Sequence, residues 1–63
     1  MFRTFYELVT SYYRGGKVTS RIYAFDDTSK PKDQRKILPE VTIVREYFYN
    51  EEDAKKFQAI YLQ

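Results

Sequence analysis

The chain has no cysteine, no histidine and no tryptophan, and only two glycines and two prolines among its 63 residues. Without cysteine it can form no disulfide and offers no thiol nucleophile. Without cysteine and histidine it lacks the usual zinc ligands and imidazole acid–base chemistry. No run approaches the roughly 18 apolar residues of a membrane helix, and residues 1–20 lack the continuous apolar segment of a secretory signal. There is no glycine-rich phosphate loop and no nucleophile–base pair. Asp26-Asp27 read as turn caps at a strand end, and Glu7 and Glu46 as strand carboxylates that are exposed or paired with Arg21 or Arg45. We therefore expect a cytoplasmic, non-catalytic protein with no cofactor, no metal, no small-molecule substrate and no membrane contact.

What the chain has is aromatic groups. Seven tyrosines and five phenylalanines make it 19% aromatic and 43% hydrophobic, which argues for a folded chain rather than a disordered one. Eleven basic residues against nine acids leave a net charge of +2, compatible with an acidic partner without demanding one. At this length the chain is one small domain over residues 1–63, near the lower limit for folding without staples. It begins with Met and reads as complete.

Six of the tyrosines (Tyr6, Tyr12, Tyr13, Tyr23, Tyr47, Tyr49) fall in runs with strand chemistry. Arg3 to Arg14 and Lys17 to Phe25 are rich in aromatic and β-branched residues and flank Gly15-Gly16, which predicts a hairpin over 3–25. If the loop is that pair alone, Tyr13 faces Val18, Val9 faces Ile22 and Glu7 faces Ala24 on one side of the sheet. Tyr12 then faces Thr19, Thr10 faces Arg21, Leu8 faces Tyr23 and Tyr6 faces Phe25 on the other. A slip of one residue would swap the faces of one strand. Residues 26–39, with Pro31 and Pro39, read as a long connecting loop, and 40–49 as a third strand. Asn50 is an N-cap followed by Glu51, Glu52 and Asp53, so a helix should run over 51–62. Its stripe is Ala54, Phe57 and Tyr61, flanked by Ile60, and Glu51–Lys55 and Glu52–Lys56 are i,i+4 pairs.

The expected fold class is α+β: a three-stranded antiparallel sheet with a C-terminal helix packed on one face, in the order β-β-β-α. The core would hold Phe5, Val9, Val18, Ile22, Phe57 and Tyr61, with either Val44 and Phe48 or Ile43 and Tyr47. One helix shields one face only. The other face would display Tyr6, Leu8, Tyr12, Arg21, Tyr23 and Phe25, with whichever third-strand set is not in the core, a surface with apolar bodies and polar tips suited to a macromolecular contact; of these, Tyr6, Tyr12, Arg21, Tyr23 and Phe25 would make the contact. These five are the candidate partner-binding residues, and a homodimer would satisfy the same face. A second candidate set is basic: Lys17, Arg21, Lys30, Lys32, Arg35, Lys36 and Arg45, groups able to hold phosphates.

The stretch Tyr47 to Tyr61 (YFYNEEDAKKFQAIY) places Phe48, Asn50, Ala54 and Phe57 in the pattern aromatic-x-T/N-x-x-x-A-x-x-aromatic. With the hairpin around Gly15-Gly16-Lys17, it resembles the arm-type DNA-binding domain at the N-terminus of tyrosine integrases. The resemblance covers the last strand and the helix. It implies a three-stranded sheet followed by a helix, with DNA met by the exposed sheet face through Arg21, Lys17 and Arg45. Beside it stand two readings from the residues. One is a protein-binding module that occludes or modulates a larger partner, in the build of small phage or mobile-element inhibitors of host enzymes. The other is a structural subunit of a larger assembly.

Overall fold

A computed structural model describes residues 3–63. Its elements are β1 (Arg3–Tyr13), β2 (Val18–Asp27), β3 (Gln34–Ile37), β4 (Val41–Phe48) and α1 (Glu51–Tyr61). All neighbouring strands are antiparallel, in the order β2-β1-β4-β3. Two hairpins thus sit side by side, with β1 and β4 at the centre. The Cα atoms span 42 × 22 × 12 Å, a thickness that leaves room for one sheet and one helix layer about 10 Å apart.

The sheet has four strands, not the three expected, and the extra one lies inside the stretch read as a loop. Pro39 is the reason. It occupies the second position of a tight turn, where its fixed φ helps and no N–H is needed. Leu38 N–H donates to the Val41 carbonyl at 2.9 Å across this turn, so the proline closes a β3–β4 hairpin rather than ending the ladder. β3 itself is short, polar and wholly exposed (Gln34, Arg35, Lys36, Ile37), as suits an edge strand that must not recruit another chain.

The β1–β2 register also differs by one residue from the expectation. Tyr12 pairs with Val18, Val9 with Arg21 and Phe5 with Phe25. The cause is the turn. Gly16 N–H donates to the Tyr13 carbonyl at 2.9 Å and Tyr13 N–H to the Lys17 carbonyl at 2.8 Å, so the loop is Arg14-Gly15-Gly16. Only Gly16 takes a positive φ, 95°. A tight turn followed by one left-handed residue is the three-residue hairpin loop, not the two-residue one.

The added loop residue exchanges the faces of β1 relative to β2. Tyr6, Leu8, Thr10 and Tyr12 now share a face with Val18, Ser20, Ile22 and Ala24, and with Thr42, Val44, Glu46 and Phe48. This is the face under α1: Phe48 and Phe57 stack with ring centroids 5.3 Å apart, and Gln58 Nε2 donates to the Ser20 carbonyl at 3.0 Å. Leu8, Thr10 and Ala54 are fully buried here. The Thr10 hydroxyl lies 3.2 Å from the Ser20 hydroxyl, which answers its polarity. Phe5 and Val9 belong to the opposite face, not to this core.

Local chemistry at the helix start follows the residues. Asn50 has extended backbone, and its Oδ1 accepts the Asp53 N–H at 2.9 Å while its Nδ2 donates to Asp53 Oδ2 at 3.0 Å. Lys55 Nζ reaches Glu51 Oε1 at 3.2 Å. Among the described residues, no helix is long and apolar enough to cross a membrane.

Candidate functional site

The sheet face turned away from α1 divides into two halves. Toward the start of β1, a cross-strand row joins Tyr23, Glu7 and Tyr47. Phe5 lies beside Phe25 and Tyr49, with centroids at 6.0 and 5.3 Å, and Phe25 meets Tyr47 edge-on at 6.0 Å. This aromatic cluster buries Phe5 to 1% exposure. The connecting loop helps close it, because Lys30 Nζ sits 5.5 Å from the Tyr49 ring centroid and 3.5 Å from the Tyr47 carbonyl. Arg3 lies over the same Tyr49 ring at 4.5 Å. The Tyr47 hydroxyl donates to Glu7 Oε2 at 2.7 Å, and burial, then the Glu7 carboxylate, push it up to about 12. The polar groups of this half are largely satisfied within the chain.

The other half is different. One cross-strand row reads Arg21, Val9, Arg45, Gln34, and the next reads Thr19, Ser11, Ile43, Lys36. Tyr13 pairs with Val41 beyond them. Strands about 4.8 Å apart place the Arg21 and Arg45 backbones on the order of 10 Å from each other, astride Val9. Val9, Ile43 and Arg45 are half-buried, whereas Arg21 and Lys36 are exposed. Neither row contains a carboxylate. Of the carboxylates that border them, Glu7 is engaged by the Tyr47 hydroxyl and Asp33 by the Tyr47 N–H. The result is an apolar centre ringed by three cations, with Lys17 in the turn at its end.

The register decides where the expected site residues lie. Arg21, Tyr23 and Phe25 are on this open face, but Phe25 is half-buried in the aromatic cluster. Tyr6 and Tyr12 are on the helix side instead, so the expected five do not form one surface. Of the basic set, Arg21, Lys36 and Arg45 come together on the open face and Lys17 borders it. Lys30 lies against Tyr49, Lys32 is exposed in the loop, and Arg35 falls on the helix side opposite Val44. Val9 and Tyr13 were missed as surface residues, whereas Ile43 belongs to one of the two third-strand sets left open for this face. The hairpin loop length decides where Val9 and Tyr13 lie relative to β2.

Comparison with known proteins finds no protein-family model, no curated protein and no solved structure that matches this chain.

Proposed function

We propose that this chain is a non-catalytic binding module that engages an acidic surface of a larger protein through Val9, Ile43, Arg21, Arg45 and Lys36. The observation that carries this reading is an uncovered sheet face whose apolar centre is flanked by arginines and contains no acid. Arginine, tyrosine and a desolvated apolar centre are what protein interfaces concentrate. Tyr23 and Tyr13, 50% and 44% exposed, extend the contact at either end. A second copy would set Arg21, Arg45 and Lys36 against like charges, so we assign the face to a heterologous partner whose binding modulates that partner.

The test uses the full chain as bait, identification of what it captures, and measurement with the purified partner. Arg21→Glu with Arg45→Glu should weaken binding at least tenfold, while Lys55→Ala with Lys56→Ala on the helix leaves it unchanged. Equal binding by both variants would sink the assignment. A dimer or larger mass for the chain alone, abolished by the same charge reversal, would transfer the face to self-association or assembly.

The second reading is duplex nucleic acid, favoured by the same Arg21–Arg45 row with Lys17 and Lys36 beside it, and by the resemblance to integrase arm-type domains. It requires a gel shift that fades steeply between about 50 and about 200 mM salt. No shift at the lower salt discards it.

A further inference from the structure

The two edges of the sheet have opposite character. β3 is four residues long, carries Arg35 and Lys36 and is wholly exposed, a build that discourages pairing with another strand. β2 runs ten residues from Val18 to Asp27 without proline or glycine. Its register with β1 is unbroken from the Tyr12–Val18 pair to the Arg3–Asp27 pair, with no bulge. A long, regular edge without such guards is a template for another strand.

The alternation of the ladder shows which groups of this edge are free. Tyr13 N–H donates to the Lys17 carbonyl and Arg14 N–H to the Glu40 carbonyl, so odd residues of β1 bond toward β2 and even ones toward β4. Thr19, Arg21, Tyr23 and Phe25 therefore direct their N–H and C=O groups at β1. Ser20, Ile22, Ala24 and Asp26 point theirs out of the sheet. Gln58 Nε2 donates to the Ser20 carbonyl at 3.0 Å, which agrees with that direction and closes the edge on the hairpin side. At the other end the strand stops at Asp27. The open stretch is Ile22, Ala24 and Asp26, centred on Ala24.

The charges select the same centre. Two copies of β2 laid antiparallel about a two-fold axis through Ala24 join Ala24 to Ala24, and Ile22 to Asp26 of the second copy, all outward-pointing positions. On the open face the same register sets Arg21 opposite Asp27 and Tyr23 opposite Phe25 of the second copy, an opposite-charge pair and an aromatic pair. Among the described residues Arg21 and Asp27 form no ion pair within the chain, and Asp27 accepts hydrogen bonds through Oδ1 only, from Thr28. Moving the axis to Tyr23 or Phe25 would put Arg21 opposite Phe25 or Ser29. Moving it to Arg21 would oppose the two arginines.

We infer that β2 pairs antiparallel with β2 of a second copy of this chain about Ala24, joining two four-stranded sheets into one of eight strands. The outer edges of that sheet are the guarded β3 strands, so the pairing closes at two copies. Both open faces then lie on one side of the sheet, next to each other rather than against each other. The pairing is thus compatible with the proposed partner contact and does not rest on it.

The experiment is sedimentation of the full chain from about 10 μM to about 1 mM, a range that reaches millimolar affinity, with amide hydrogen exchange at both ends of it. A reversible monomer–dimer equilibrium is expected. The amides of Ile22, Ala24 and Asp26 should exchange at least threefold more slowly at the upper concentration. Arg21→Asp alone and Asp27→Arg alone should each weaken the dimer at least tenfold, since each sets like charges opposite one another. The two together should restore it to within threefold of the parent. That recovery separates the edge from a dimer made through the open face, which shares Arg21 but has no reason to recover. The exchange measurement uses the parent chain and tests the edge even where a variant fails to fold. A chain that stays monomeric at the upper concentration overturns the inference, as do species that grow beyond a dimer. It is equally overturned by a dimer in which the three amides exchange unchanged, or by a double exchange of charge without recovery. Protection of those amides only on adding a captured partner also overturns it, and gives the edge to a strand of that partner.

Discussion

Gly15 and Gly16 are neighbours with the same open surroundings, and they should respond oppositely to the same substitution. A Cβ added at either position meets nothing within 4 Å, so packing cannot distinguish them. The backbone can: Gly16 has φ 95° and Gly15 does not enter that region. An L-residue with a side chain loses roughly 1–2 kcal/mol in the left-handed region, so Gly16→Ala should destabilise by about that much. At Gly15, alanine restricts the unfolded chain without native strain and should be neutral or stabilising by about 0.4–1 kcal/mol. The two variants should then differ by roughly 1–3 kcal/mol. In a domain of this size that is on the order of 10 °C in Tm. Urea titrations with a common m-value and thermal melts followed by far-ultraviolet circular dichroism would read it. Gly16→Asn should fall between Gly16→Ala and the parent, since asparagine tolerates this region better. Equal destabilisation by both alanines, or a larger loss at Gly15, would mean that the loop is the two-residue one and that Tyr12 does not pair with Val18.

Leu8→Ala removes a side chain of 0% exposure from a central strand and should cost about 2–5 kcal/mol, most of what a domain this small has to lose. Val9→Ala, one residue along on the open face, should cost much less, and a comparable Tm drop for the two would contradict the face assignment. Asn50→Ala deletes the acceptor for Asp53 N–H and should cost about 1 kcal/mol with visible loss of helical circular dichroism; an unchanged melt would show the cap to be idle. Tyr47 and Tyr61 are raised from an ordinary 10.0 to about 12, so folding favours their protonated forms. The stability this supplies is complete below pH 10 and is lost as pH rises through 12. Tyrosinate absorbance should show Tyr47 and Tyr61 ionising late, together with unfolding. Ionisation of these two near pH 10 with the fold intact would refute it.

Much of the local structure was legible in the residues, because it depends on near neighbours. The strand runs of β1, β2 and β4 follow from β-branched and aromatic content, and α1 from Asn50 and the acids after it. Two features were not legible, and both turn on a single geometric choice. Gly15-Gly16 fits a two-residue loop or part of a three-residue loop, and the left-handed residue that separates them leaves no mark in composition. That choice moved Tyr6 and Tyr12 to the helix side and brought Val9 out between Arg21 and Arg45. Likewise β3 carries no alternation for pattern reading to find, since an exposed edge strand buries nothing, and Pro39 signals a break as readily as a turn. The burial of Glu46 beside Tyr61 depends on where α1 settles laterally, which no local pattern encodes.

β3 connects these surprises. A three-stranded sheet of β2, β1 and β4 would be about as wide as one helix can shield, since neighbouring strands are about 4.8 Å apart and a helix with its side chains is about 10–12 Å across. Adding β3 widens the sheet beyond α1 on one side, while Gln58 ties α1 toward the other. The consequences fall on both faces. On the helix side the overhang opens a cleft that Arg35 and Val44 line, while Glu46 Oε1 stays buried. On the open side it adds Gln34 and Lys36 to rows that begin with Arg21 and Thr19, which brings a third cation to the basic face. The strand contributes little burial of its own, being exposed throughout. Its effect on the structure therefore lies in the surfaces it creates rather than in the core it completes.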